Sequence, residues 1–176
     1  FACAPGADET CGPRLRSSKP WPPPKPNPEH RLKTSVAAAT LECARRQNGS
    51  AALVFFGVHW VQATAAEAAA FATSLAAAAR GLCVVLVSPT DSAYERIPKH
   101  FAQSLVHFQN SWRGAALTRA LAAASRSSGL GFLDLFAPSS RYHFTGHAPS
   151  DPVHFPRASN AAFARLAAGA PARPCP

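Results

Sequence analysis

An α/β domain on a mostly parallel sheet is the fold class this sequence predicts, and three observations predict it. Short apolar runs at 52–58, 82–87 and 132–136 read as strands buried on both faces. Longer stretches with helical spacing separate them, and capping or turn residues stand at the junctions. Strands that alternate with helices form βαβ units with right-handed crossovers. With 176 residues, the chain holds one domain with its own core and is too short for two. Hydrophobic residues at 47% against 15% charged exclude wholesale disorder.

The elements follow in order. Residues 1–30 are irregular, and Trp21-Pro22-Pro23-Pro24-Lys25-Pro26-Asn27-Pro28 predicts a polyproline II arm or linker, able to pack on a neighbouring chain. The domain proper takes residues 31–170, and 171–176 form a tail. Residues 31–47 read as a helix, with Leu32, Val36, Leu41 and Cys43 available for a buried side. After the first strand, Thr64 caps a helix reaching Arg80. Glu67, three residues on, completes a capping box, and Gly81 ends the helix. Leu82 to Val87 is the second strand, stopped by Ser88-Pro89-Thr90. A short helix is expected around Phe101 to Phe108. Ser111 caps another to about Ser127, punctuated by Gly129 and Gly131. Phe132 to Phe136 is the third strand, with Asp134 read as a hydrogen-bonding residue at its end. A loop through Pro156 leads to a last helix over 157–168.

Lysine and arginine total 18 against 9 acidic residues, a net charge of +9. The basic residues are scattered rather than clustered, and no nucleic-acid-binding signature occurs, so nucleic acid is not an expected partner. No run of 18 apolar residues exists, so no transmembrane helix is expected. The chain contains no Met, and we read it as a processed product or a portion of a longer protein. Cys83 lies within an apolar run and reads as a buried thiol. Cys3 and Cys11 could close a small loop, Cys175 could tie down the far terminus, and an odd count of five leaves one thiol free. Asn48-Gly49-Ser50 is a glycosylation sequon. Cysteines and sequon together point to a secreted or lumenal location.

Chemistry concentrates after the strands, where open parallel sheets gather their sites. Ser150-Asp151-Pro152-Val153-His154-Phe155-Pro156 places a carboxylate three residues before an imidazole, just ahead of a helix. Such a carboxylate can orient the ring while the ring accepts a proton from a nucleophile. Val54-Phe55-Phe56-Gly57-Val58-His59-Trp60 follows the first strand. His143 and His147, with His154 and Asp151, fall short of a recognisable metal set, so no metal is expected.

These two elements, in this order and spanning about two-thirds of the chain, resemble the SGNH/GDSL hydrolases, in particular the PC-esterase branch. Asp151-Pro152-Val153-His154-Phe155 is similar to that superfamily's Asp-x-x-His block before the C-terminal helix, with proline where glycine is usual. Gly57-Val58-His59-Trp60 resembles the branch's Gly-x-His-Trp element. The resemblance implies a three-layer flavodoxin-like domain with helices on both faces. It also implies Asp151 and His154 as the acid–base pair, and Gly57 and His59 at an oxyanion hole, with Gly57 permitting a tight turn. No cofactor is needed. The nucleophile block, Gly-Asp-Ser, does not occur, and Ser17, Ser18, Ser35 and Ser50 do not follow apolar strands. The nucleophile is therefore unknown. The implied function is an esterase acting on acyl, above all acetyl, esters of an extracellular glycan. The alternative is a catalytically inactive relative that binds glycan or other extracellular proteins.

Overall fold

The computed structural model describes residues 32, 39, 41–42, 44–46, 50–93, 111–142 and 155–169, with only the backbone at Val58 and His59. The Pro-rich arm, Asn48, the expected helix at 101–108, the His143–His147 pair, Asp151, His154 and the tail lie outside the described residues. Helical residues at 39, 41–42 and 44–46 precede strand β1 (Ala51–Phe55). A 3-10 turn over Val58–Gln62 leads to helix α1 (Ala65–Ala79) and strand β2 (Cys83–Val87). Helix α2 (Ser111–Ser128), strand β3 (Gly131–Leu133), short helix α3 (Phe136–Ser140) and helix α4 (Arg157–Gly169) follow.

The fold is α/β. The three strands are parallel in the order β1-β2-β3. Register aligns Val54 with Leu86 and Leu86 with Phe132, while Val87 stands beside Phe55 and Leu133. Successive side chains of a strand leave opposite faces, so these rows sort the core. Ala52, Val54, Val84, Leu86 and Phe132 join one apolar cluster with Leu41, α1 and α2. Leu53, Val87 and Leu133 join a second cluster with Leu135, Phe155 and Phe163. Parity therefore puts the two clusters on opposite sides of the sheet.

Helix α1 forms for local reasons. Thr64 accepts from the Glu67 amide at 3.1 Å, and the Glu67 carboxylate accepts from the Thr64 amide at 2.8 Å, the reciprocal box expected of this pair. Its buried residues Ala68, Phe71, Ala72, Leu75 and Ala79 recur at helical spacing. Phe71 meets Phe56 edge to face, with centroids 5.7 Å apart. At its end, Arg80 and Gly81 both take positive φ, 43° and 85°. The Arg45 guanidinium reaches across to donate to the carbonyls of Ala78 and Ala79, satisfying acceptors that a helix end leaves open. Helix α2 ends similarly: Gly129 has φ 65°, the Leu130 amide returns to the Ser125 carbonyl, and the Ser125 hydroxyl donates to the Leu130 carbonyl at 2.6 Å.

Four expectations are corrected. The first strand stops at Phe55, and Val58 belongs to the 3-10 turn, because amides fold back onto carbonyls three residues earlier: Trp60 donates to Gly57 O and Ala63 to Trp60 O. The third strand ends at Leu133, and 136–140 turns helical because the Asp134 carboxylate accepts from the Ala137 amide at 3.0 Å. Ser111 is the first helical residue rather than the cap, and its hydroxyl donates instead to the Ser92 carbonyl. Cys83 is not a free thiol; it is disulfide-bonded. An apolar run marks a buried backbone, but it does not say whether a cysteine within it meets another sulfur.

Two outcomes test this packing. Removing the Thr64 cap (Thr64→Ala) should cost about 1 kcal/mol. A Cβ at Gly131 would approach Val85 Cγ2 at 2.9 Å and the Val84 carbonyl at 3.4 Å. Gly131→Val should therefore cost about 1–3 kcal/mol in urea unfolding, and an unchanged midpoint would show that β3 can step away from β2.

Candidate functional site

The carboxyl ends of the three strands form one rim, and each strand is followed there by polar residues. Gly57-Val58-His59-Trp60 follows β1, Ser88-Pro89-Thr90-Asp91 follows β2, and Asp134 follows β3. Ser88 sits at the centre with 2% exposure. Its hydroxyl oxygen accepts from the amides of Leu135 at 2.8 Å and Phe136 at 3.0 Å. Its proton can go to Asp134 Oδ1 at 3.3 Å or to the Pro89 carbonyl at 3.2 Å. Asp134 Oδ1 also holds the Ala137 amide, so the hydrogen-bonding role expected of Asp134 at the strand end is what the structure shows.

Ser139, which is fully buried, extends the network. Its hydroxyl accepts from the Asp91 amide at 2.8 Å and donates to the Phe136 carbonyl at 2.9 Å. Asp91, 2% exposed, turns Oδ1 onto the Ser92 amide at 2.9 Å. Serine hydroxyls thus replace the ladder hydrogen bonds that end with the strands, as buried backbone groups require. Both Ser88 and Ser139 are fully committed as donor and acceptor. Neither is poised as a nucleophile.

The block after β1 is only partly visible. Gly57 has φ −76° and ψ 170°, and nothing lies within 4 Å of where a Cβ would stand. Gly57 is thus in an extended conformation open to other residues. The backbone of His59 lies inside the 3-10 turn. Trp60 packs against the α1/α2 core. Gln62, which closes the turn, keeps Oε1 buried without a hydrogen-bond partner, the one such side-chain atom among the described residues. An acceptor left that way costs about 1–3 kcal/mol.

The block before α4 is anchored at its downstream end. Phe155 is buried against Val87 and Leu135, and its ring meets Phe163 edge to face at 5.1 Å. The Asn160 amide side chain donates to the Phe155 carbonyl at 2.8 Å. Val87 is the last residue of β2, so this anchor lies under the rim. Asp151 and His154 are outside the described residues, so the structure shows one end of each motif and not the pairing of Asp151, His154 and His59. Among the described residues, no group of His, Cys, Asp or Glu could hold a metal ion, and no helix is long and apolar enough to cross a membrane.

The Ser88 and Ser139 latch escaped the reading of the sequence. The only signal was polar residues directly after an apolar strand, and their partners lie about 47 residues away along the chain. Comparison of the chain with protein-family models, with characterised proteins and with solved structures finds no match.

Ser88→Ala leaves two buried amides without an acceptor and should cost about 2–3 kcal/mol. Phe155→Ala should cost about 3–5 kcal/mol. Both are read by chemical denaturation with far-ultraviolet circular dichroism. A Ser88→Ala protein as stable as the parent would mean that the latch is replaced by water.

Proposed function

We propose that this chain carries an SGNH-type esterase-like domain, of three-layer flavodoxin-like architecture, that acts on or binds acyl (acetyl) esters of an extracellular glycan. The observation that carries the reading is the shared rim. The Gly57-Val58-His59-Trp60 turn leaves the carboxyl end of β1, and Phe155, one peptide bond from His154, beds against the carboxyl end of β2. Further support comes from the sheet. Its sequential parallel order is that of strands 3-4-5 in a flavodoxin-like 2-1-3-4-5 sheet. Its apolar clusters take α1 and α2 on one side and the Phe163 helix on the other.

In this reading the Asp151 carboxylate orients the His154 imidazole and stabilises its protonated form. His154 takes the proton of a serine hydroxyl as that oxygen attacks the acyl carbonyl. The His59 side chain and a backbone amide near Gly57 receive the developing oxyanion. His154 then protonates the departing sugar oxygen, and water releases the acid from the acyl-enzyme. The net charge of +9 favours an acidic polymer as substrate or partner. A disulfide at Cys83 and the sequon at Asn48 favour an extracellular or lumenal setting.

One observation favours the second reading, a non-catalytic glycan- or protein-binding scaffold. The rim serines Ser88 and Ser139 are consumed by structural hydrogen bonds, so the nucleophile has to come from residues beyond these.

Fluorophosphonate labelling and p-nitrophenyl acetate turnover by the full-length protein decide between them. The enzyme reading expects label on a serine and a loss of about a thousandfold or more in kcat on His154→Ala. Equal rates in both proteins would remove His154 from the mechanism. No label and no turnover in the parent protein would leave the binding scaffold.

A further inference from the structure

Three aromatic side chains are strongly exposed among the described residues, and all three stand at the carboxyl rim. Phe55 is 57% exposed, Trp112 45% and Tyr142 57%. Phe55 is the last residue of β1. Trp112 lies in the first turn of α2, whose Ser111 hydroxyl donates to the Ser92 carbonyl beside buried Asp91. Tyr142 follows α3, and its amide donates to the carbonyl of Ser139, whose hydroxyl holds the Asp91 amide. Phe56, Phe71, Phe155 and Phe163, by contrast, are buried in the two apolar clusters. Single exposed rings scattered over a surface are ordinary, whereas rings gathered at one end of a sheet mark a binding surface.

We propose that this rim binds a chain of an acidic polysaccharide. Phe55, Trp112 and Tyr142 are flat apolar supports for its sugar rings, and Arg113 and Arg141 meet its anionic groups. The inference deepens the proposed function and rests on its choice of a glycan, not on its hydrolytic chemistry. The face of an aromatic ring carries the negative part of its quadrupole, which suits the slightly positive C–H face of a sugar.

Charge at the rim is one-sided. Arg113 and Arg141 are exposed and adjoin Trp112 and Tyr142 in the chain. The carboxylates at this end are occupied by backbone amides: Glu67 accepts from Thr64, Asp91 from Ser92 and Asp134 from Ala137. Asp91 is buried and the other two are half-buried. The accessible charge is therefore cationic and favours an anionic partner.

The spread of the rings favours a polymer. Phe55 shares the parity of Val87 and leaves the sheet on the α4 side. Trp112 stands on α2, which covers the other side. β1 and β3 are two strand spacings apart, about 10 Å. A small ester does not reach both corners, but a chain of several sugars crosses them. Single-stranded nucleic acid also combines stacking with positive charge. The Cys83 disulfide, however, points to an oxidising compartment, where polysaccharide is the common anionic polymer.

Surface plasmon resonance of the full-length protein over immobilised heparin and polygalacturonate tests the proposal, with oligo(dT) as the rival ligand. The parent protein should bind a polysaccharide more tightly than the oligonucleotide. Trp112→Ala/Tyr142→Ala should weaken that binding by about tenfold or more. Trp112→Phe/Tyr142→Phe, which keeps both rings, should bind like the parent and so separates lost stacking from lost folding. Phe55→Ala should weaken binding from the opposite corner, and Arg141→Gln should flatten its dependence on salt. Equal affinity of the double alanine variant and the parent, no binding to either polysaccharide, or tighter binding of oligo(dT) would overturn the proposal. Binding is read rather than turnover, so a protein without esterase activity still tests this surface. Failure here leaves the esterase chemistry to be judged on His154→Ala.

Discussion

The central strand β2 is buried on both faces, and the rest of the structure is arranged around that constraint. Val84 and Leu86 point into the α1/α2 cluster while Val87 points into the other. A backbone so enclosed has no water to satisfy it, so both edges of β2 must be paired, which β1 and β3 do. Burial of both sides also explains why the strand contains no polar residue between Cys83 and Val87. The helices that cover it are rich in alanine and can approach closely. Ala68, Ala72 and Ala79 of α1 and Gly114 and Ala124 of α2 are all buried. Closeness replaces bulk here, since alanine removes little area from water per residue.

Where β2 ends, the constraint passes from the ladder to side chains. The Ser88 amide still pairs with the Leu133 carbonyl, and its hydroxyl then gathers the next two amides of the neighbouring segment. Leu135 is thereby fixed at the rim, and Leu135 packs against Phe155. A chain of contacts thus runs from the centre of the sheet to the residue that follows His154. Buried Ser88, Ser139 and Asp91, with half-buried Asp134, make this end of the sheet a rigid footing for the segments that leave it.

The two ends of the sheet have different characters. The carboxyl rim is polar and held by directional hydrogen bonds. The amino edge is fastened by covalent and charged contacts: the Cys83 disulfide, and the Arg45 guanidinium on the last carbonyls of α1.

Much of the fold was legible in the sequence because its signals are local. The Thr64–Glu67 box, the glycine after α1 and the alternation of apolar runs with helical stretches each depend on a few neighbouring residues. Element types and their order followed from them. Strand ends did not, because Val58 and Phe136 are apolar and suited to a strand, and only competing turn hydrogen bonds withdraw them. The candidate site was legible as two motifs, Gly57–Trp60 and Asp151–Phe155, and the structure adds the anchor at Phe155. What only the tertiary structure decided is the strand register, the sorting of Leu53 and Val54 to opposite sides, the partners of Ser88 and Ser139, and the bonded state of Cys83. Each depends on groups tens of residues apart brought within a few ångströms, and no local propensity encodes such a meeting.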